Sequence, residues 1–376
     1  MTTSATPPRV PAAPAPADPR AAPGIRFEQA GSAVVVTLDR PSRINAIDSA
    51  IKAAIANEFP RIARDPQVYA VLLRASPARM FSAGGDVREF RDLAKSSPEK
   101  ARAECAREYA NIWMLDCFSK PTIALIEGAV LGTAAGMVAT VTHQVGGAGY
   151  RFQMPETLIG FFPDNGVAMA LAGMPHHIGT WMGLTGEEIG RADALWLGLL
   201  THCIDAPVFD EITALVADSQ PIDQVLDVRH VDPGPPPLKA LAPVIERCFG
   251  ASTVAEIKAR LLAEREERAW CDRMLARLAQ CSPVALEVTL ELVGRAKALD
   301  LRQLLQLEYR LASRLVFSHD FQEGVRARVV DKTGDPRWRP SVLSDVSLRQ
   351  IAELFEPRNE GELMLPTRQE MQAARI

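Results

Sequence analysis

Short unbroken apolar runs alternate along this chain with apolar residues at helical spacing, and that alternation sets the expected fold class. Ala33-Val34-Val35-Val36-Thr37-Leu38 is a β-branched run ended by Arg40-Pro41, which predicts a buried strand. Ile51, Ala54, Ile55 and Phe59 then recur at helical spacing; Asp48 suits the N-cap, and Pro60 is expected to kink or end the helix near Phe59. A second buried strand follows at residues 68–74. Strand, helix, strand is the βαβ unit of an α/β protein. A long helix is expected from residue 87 to about 118, a strand at 122–127 and a short strand at 151–153. Residues 168–182 read as helical, with Thr185 placed to cap a further helix. Asp232-Pro233-Gly234-Pro235-Pro236-Pro237 reads as a semi-rigid linker, and residues 254–278 and 283–317 repeat Leu and Ala at helical spacing.

The run Phe152-Gln153-Met154-Pro155-Glu156-Thr157-Leu158-Ile159-Gly160-Phe161-Phe162-Pro163-Asp164 carries two carboxylates in apolar company. Burying an ionised carboxylate without a partner costs several kcal/mol, so Glu156 and Asp164 need either a task or a partner. Surface turns are the alternative reading, since Pro163 and Gly166 flank Asp164. Two turns rich in small residues weigh against it. Gly84-Gly85 follows the second strand and Gly132-Thr133 follows the third, so both belong at the carboxyl ends of strands, where open α/β sheets collect ligands. Each turn can aim a backbone N–H at one point, and a pair of such donors makes an oxyanion hole worth roughly 2.7 to 4 kcal/mol per donor at the transition state.

Composition narrows the function classes. With 376 residues and 47% apolar content the chain can bury a large core. A net charge of −4 and a pI near 6.0 give no global attraction to nucleic acid or to an anionic membrane, and no apolar run is long enough for a transmembrane helix. Six dispersed cysteines without a C-x-x-C pair, and histidines scattered apart from His176-His177, point to no metal site and fit reduced thiols in a cytoplasmic protein. The first 24 residues contain seven Pro and seven Ala and read as a disordered leader rather than a targeting peptide. The expected division is therefore a leader at 1–24, a core at 25–232 and a mostly helical region at 233–376. No G-x-S-x-G elbow, P-loop or G-x-G-x-x-G fingerprint is present.

Taken together, Phe81-Ser82-Ala83-Gly84-Gly85-Asp86-Val87, the stretch from Gly128 to Gly136, and Met154-Pro155-Glu156-Thr157 with Gly160-Phe161-Phe162-Pro163-Asp164 resemble the crotonase (enoyl-CoA hydratase/isomerase) superfamily. The likeness is greatest to its 3-hydroxyisobutyryl-CoA hydrolase branch. The later runs Glu308-Tyr309-Arg310-Leu311-Ala312, His319-Asp320-Phe321-Gln322-Glu323-Gly324 and Asp335-Pro336-Arg337-Trp338 resemble that branch too. The resemblance implies a crotonase-like spiral of ββα units with a C-terminal helical region, acyl-CoA thioester substrates in which coenzyme A is part of the substrate, and no further cofactor. Trimers or hexamers are common among such relatives, so a homo-oligomer is an open expectation.

Carried onto this chain, the resemblance makes the N–H groups of Gly85 and Thr133 the oxyanion donors, beside Gly84 and Gly132. It sets Glu156 at the thioester carbonyl, as a nucleophile or as a base for water, and Asp164 at the substrate's 3-hydroxyl or in proton transfer. Glu108 corresponds to a further acid of the acyl pocket. Hydratases of this type carry a second glutamate where this chain has Gly136, which favours thioester cleavage. Thr133 stands where glycine is usual, and its β-branch restricts the turn. Hydrolysis of a short 3-hydroxyacyl-CoA, 3-hydroxyisobutyryl-CoA first among them, is the expectation. An enoyl-CoA hydratase/isomerase and a non-catalytic CoA-binding protein are the alternatives.

Overall fold

The computed structural model describes residues 22–77, 80–357 and 361–376; the leader at 1–24 lies almost wholly outside the described residues. Ile25–Ala30 (β1) pairs antiparallel with Ala33–Leu38 (β2), and Ala70–Ala75 (β3), Thr122–Ile126 (β4), His143–Gly146 (β6) and His202–Cys203 (β9) continue the sheet in parallel, in the order β1-β2-β3-β4-β6-β9. A second, smaller sheet joins Ala129–Leu131 (β5) to Arg151–Gln153 (β7) in parallel and β7 to Ile189–Gly190 (β8) antiparallel. A single parallel bridge from Ser82 to Val130 ties the glycine turn after β3 to this layer, and another from Ile47 to Gly85 ties it to the segment before the helix that starts at Ser49.

The central strands β2, β3 and β4 are buried on both faces, which is why they read as nearly unbroken apolar runs. Alternate residues of β2 go opposite ways: Val34 and Val36 join the main core, while Ala33 and Val35 join a second core. That second core is closed by Phe209–Ala217 (α8) and Ile222–Asp227 (α9) through Phe209, Ile212, Val216 and Val225.

Before these come seven helices: Ser49–Arg64 (α1), Val87–Ser96 (α2), Pro98–Asp116 (α3), Gly132–Ala139 (α4), Val167–Gly173 (α5), Ile178–Thr185 (α6) and Arg191–Trp196 (α7). Three expectations are corrected here. Pro60 lies inside α1, which runs on to Arg64 because Phe59, Ile62 and Ala63 all bury against the core; Asp48 does cap it, accepting the Ile51 N–H at 2.9 Å. The single long helix after residue 87 is two helices, divided at Ser97 because Pro98 takes the first position of α3. Thr185 does not open a helix. It is the last residue of α6, its hydroxyl donating to the Trp181 carbonyl at 2.7 Å, and Gly186 at φ 60° ends the helix.

The semi-rigid, proline-rich stretch at 232–237 is tethered at both ends. Val231 N–H donates to Cys203 O at 2.8 Å before it, and Leu238, itself buried, donates its N–H to Asp193 Oδ1 at 2.8 Å after it. Beyond it lie Ala242–Phe249 (α10), Val254–Ala263 (α11), Arg268–Leu278 (α12), Pro283–Ala296 (α13), Leu301–Leu315 (α14) and His319–Val325 (α15), and the main hydrophobic core runs without a break from β1 into these helices. Helix α14 packs along α3. Helix α15 meets the short turn Glu156–Ile159 backbone to backbone. A Cβ on Gly160 would stand 2.4 Å from the Asp320 carbonyl, and one on Gly324 would stand 2.4 Å from that of Ile159.

Candidate active site

The two glycine turns touch through their main chains. Gly84 has φ 81°, a conformation natural only to glycine, and a Cβ there would lie 2.7 Å from the Leu131 carbonyl oxygen. Ile47 pairs through the Gly84 carbonyl and the Asp86 N–H, which turns the Gly85 N–H to the other side. Thr133 is the second residue of α4, so its N–H has no acceptor within the helix. Gly132, at φ 48°, lets Glu156 close in: a Cβ on it would stand 3.2 Å from Glu156 Oε1. Gly85, Gly132, Thr133, Glu108, Glu156 and Asp164 all line one cavity of about 300 Å³. Gly84 sits behind it as the turn's left-handed hinge.

Two hydrogen-bonded groups meet among these residues. Lys52 Nζ, on α1, donates to Glu108 Oε2 at 2.5 Å, and Thr133 Oγ1 donates to Glu108 Oε1 at 2.5 Å. The threonine hydroxyl is therefore turned toward α3. Tyr109, the next residue of α3, donates its hydroxyl to Asp164 Oδ2 at 2.8 Å, and Asn165 Nδ2 donates to Asp164 Oδ1 at 2.7 Å. Asn165 and Gly166 both hold left-handed backbone, at φ 61° and 80°, and Glu308 Oε2 on α14 accepts the Gly166 N–H at 2.8 Å. Glu156 is different: its Oε2 is buried with no hydrogen-bond partner among the described residues.

The electrostatics follow from burial. Glu156 is held well above the usual carboxylate range by desolvation first and by the neighbouring Asp164 charge second. Asp164 is pushed up to about 7 by burial and then by Glu108, against the pull of its hydrogen bonds to Tyr109 and Asn165. For Glu108 burial acts in the same upward sense, but the Lys52 cation and the Lys52 and Thr133 hydrogen bonds outweigh it and leave the carboxyl below its usual value. Cys105 also lines the cavity; burial, then Glu108, pushes its thiol far up, so it stays protonated and is no nucleophile.

Lys52, Tyr109, Asn165 and Glu308 were not among the sequence candidates. Two of them left a signal. Lys52 interrupts the apolar stripe of α1 next to Ile51, and Glu308 falls in helical register with Leu304, Leu311 and Leu315, so each is an ionisable group on a buried face. Tyr109 and Asn165 follow an already chosen acid directly and carry no separate mark.

A profile of the enoyl-CoA hydratase/isomerase family matches residues 33–355, most of the chain. The chain belongs to that family. A family relative from Arabidopsis thaliana, 3-hydroxyisobutyryl-CoA hydrolase 1, is 31% identical over 369 residues, covering 94% of this chain and 97% of the relative. The mitochondrial 3-hydroxyisobutyryl-CoA hydrolases of Danio rerio and Homo sapiens are 28% and 29% identical, each alignment covering 91% of either chain. Among solved structures, a carnitinyl-CoA dehydratase from Mycobacterium thermoresistibile superposes with a TM-score of 0.85 at 31% identity, covering 91% of this chain and 98% of that one. An enoyl-CoA hydratase from Rhodobacter sphaeroides gives 0.84 at 30%, covering 91% and 100%.

These similarities bear out the crotonase-like α/β fold with its helical C-terminal region. They overturn the expectation of a cytoplasmic protein, because the fish and human family members are named mitochondrial. Reduced cysteines suit any reducing compartment, so they never singled out the cytosol. Among the described residues no helix is long and apolar enough to cross a membrane.

Proposed function

We propose that this protein is an acyl-CoA thioester hydrolase whose substrate is a short 3-hydroxyacyl-CoA, with 3-hydroxyisobutyryl-CoA as the first choice. The observation that carries the reading is the convergence of Gly85, Thr133, Glu156 and Asp164 on one cavity. Full-length relatives named as hydrolases of that thioester support it. The thioester oxygen sits against the Gly85 and Thr133 N–H groups, which take up the negative charge as the carbonyl carbon becomes tetrahedral. Glu156 draws a proton from water as the water oxygen adds to that carbon. The C–S bond then breaks, and the proton passes to the departing CoA thiolate. Water activation and direct attack both start from the ionised Glu156 carboxylate; the raised proton affinity makes that carboxylate the stronger base toward water. Asp164 receives the 3-hydroxyl. Coenzyme A enters as part of the substrate.

The dehydratase and hydratase names of the structural relatives raise a second reading, addition of water to an enoyl-CoA. Gly136 counts against it. A Cβ there would lie 2.5 Å from both the Cβ and the carbonyl oxygen of Asn165, so the position has no room for the second glutamate that hydration would use.

The test is release of free CoA, followed with a thiol reagent, from 3-hydroxyisobutyryl-CoA. The parent is expected to turn over and Glu156→Gln to lose about 10²- to 10⁴-fold, the usual worth of a general base. An unchanged rate in Glu156→Gln, or loss of double-bond absorbance from crotonyl-CoA without free thiol, would overturn the reading.

A further inference from the structure

Glu308 has no part in the chemistry above, yet it is fully buried and faces the segment that presents Asp164. Resting on the hydrolase reading, we propose that Glu308 is the positioning residue for Asp164: from α14 it clamps the Asp164-Asn165-Gly166 turn in the strained form that aims the Asp164 carboxyl into the cavity.

Four observations converge on this. Two consecutive residues of the turn, Asn165 and Gly166, are left-handed, a conformation that a non-glycine residue holds only when its surroundings enforce it. The Gly166 N–H, which follows that strain, donates to Glu308 Oε2 at 2.8 Å, a bond between parts of the chain 142 residues apart. The other oxygen of Glu308 has no described partner, so the carboxyl is committed to the turn and to nothing else. Finally, a Cβ on Gly166 would stand 2.6 Å from Leu301 Cδ1, so α14 presses on the turn from the side that bears Glu308.

Among the described residues, the ionisable groups facing Glu308 are Asp164 on the turn and Glu108 and Tyr109 on α3; burial, then the Asp164 charge, holds the Glu308 carboxyl well above its ordinary range. In this geometry Glu308 serves as a hydrogen-bond acceptor through Oε2. A glutamine keeps an acceptor oxygen at the same reach. An aspartate, one methylene shorter, cannot reach the Gly166 N–H, and a leucine offers no acceptor.

The experiment compares Glu308→Leu, Glu308→Asp and Glu308→Gln in the full chain. Glu308→Leu and Glu308→Asp are expected to lower kcat tenfold or more with KM changed less than twofold, because misplacing a reacting group costs rate before it costs affinity. Glu308→Gln is expected to recover most of kcat. A scaffold role alone would lower the active fraction and leave the pH profile in place, so the acid limb of kcat assigned by Asp164→Asn is the second readout. A third needs no turnover: the carboxyl carbon-13 resonance of Asp164, assigned with Asp164→Asn, should titrate near neutrality in the parent and in Glu308→Gln. It should move toward the ordinary carboxylate range in Glu308→Asp, where the freed turn lets Asp164 reach water. An inactive parent would sink the hydrolase reading while the resonance still decides the clamp. An active parent with kcat and the Asp164 titration unmoved in both Glu308→Asp and Glu308→Leu would overturn the clamp alone.

Discussion

Replacing Asp164 by Asn should stabilise the protein above neutral pH and weaken it below pH 5, with the crossover set by the buried carboxyl itself. In the folded state the group holds its proton to about 7, against an ordinary value of 3.8. A carboxyl raised in this way adds stability that is fully present below 3.8 and is lost as pH rises through 7, because the native state must then keep an ion out of water. Three units at 1.36 kcal/mol per unit put that loss at about 4 kcal/mol by pH 8. Asn removes the ionisation, but its NH₂ cannot accept from Asn165 Nδ2 while its oxygen accepts from Tyr109. One bond made at 2.7 or 2.8 Å is therefore forfeited, at a cost of roughly 1 to 3 kcal/mol. The balance is a gain of about 1 to 3 kcal/mol at pH 8 and a deficit of at most about 2 kcal/mol at pH 4.5, where the folded carboxyl is neutral but the unfolded one has largely ionised. Urea unfolding of both proteins at half-unit steps from pH 4.5 to 8 measures the difference directly. A difference that stays constant across that range would refute the reasoning, since it would mean that Asp164 titrates alike in the folded and unfolded chains.

Two further substitutions test the surroundings of the site. Lys52→Met should destabilise by about 3 to 5 kcal/mol near pH 7, because it strands Glu108 as a buried ion whose depressed pKa rests on that lysine; the double variant Lys52→Met/Glu108→Gln should recover most of the loss in the same unfolding assay. Because Glu108 is depressed, its contribution in the parent is present above its unfolded pKa and fades as pH falls through the lower folded value. Gly136→Ala should cost about 1 to 3 kcal/mol by thermal unfolding and should also slow CoA release, since the new methyl must displace Asn165 and with it the partner of Asp164. A variant with parental melting and rate would show that the Asn165 turn is free to move.

Sequence pattern revealed the parts of this molecule whose signal is local. The buried strands announce themselves because the central strands are covered on both faces, so β2, β3 and β4 are apolar at nearly every position, Thr37, Arg74 and Thr122 excepted. Strand β1 alternates buried and exposed residues and did not stand out as a run. Pro60 misled because propensity is a local quantity, whereas the last turn of α1 is held by Ile62 and Ala63 packing into the core. At the site, Glu156 and Asp164 were visible as charges in apolar company and the turns as small residues at strand ends. The chain from Lys52 through Glu108 to Thr133 was not, because its members lie 56 and 25 residues apart and meet only once α1, α3 and α4 have packed. Glu108 entered through family likeness alone; its local context, a helix rich in charge, gives no warning that it will be buried.

The bare contact of Gly160 and Gly324 with each other's neighbouring carbonyls has a consequence for engineering. The two positions form a seam across which the turn bearing Glu156 and the helix α15 lie without any side chain between them. Chimeras that graft the helical part of one homologue onto the sheet part of another can succeed only where both contributors bring glycine to this seam. A single methyl on either side would wedge the halves apart and lift Glu156 from its place beside Gly132, so donor choice is decided at these two residues before any loop is designed.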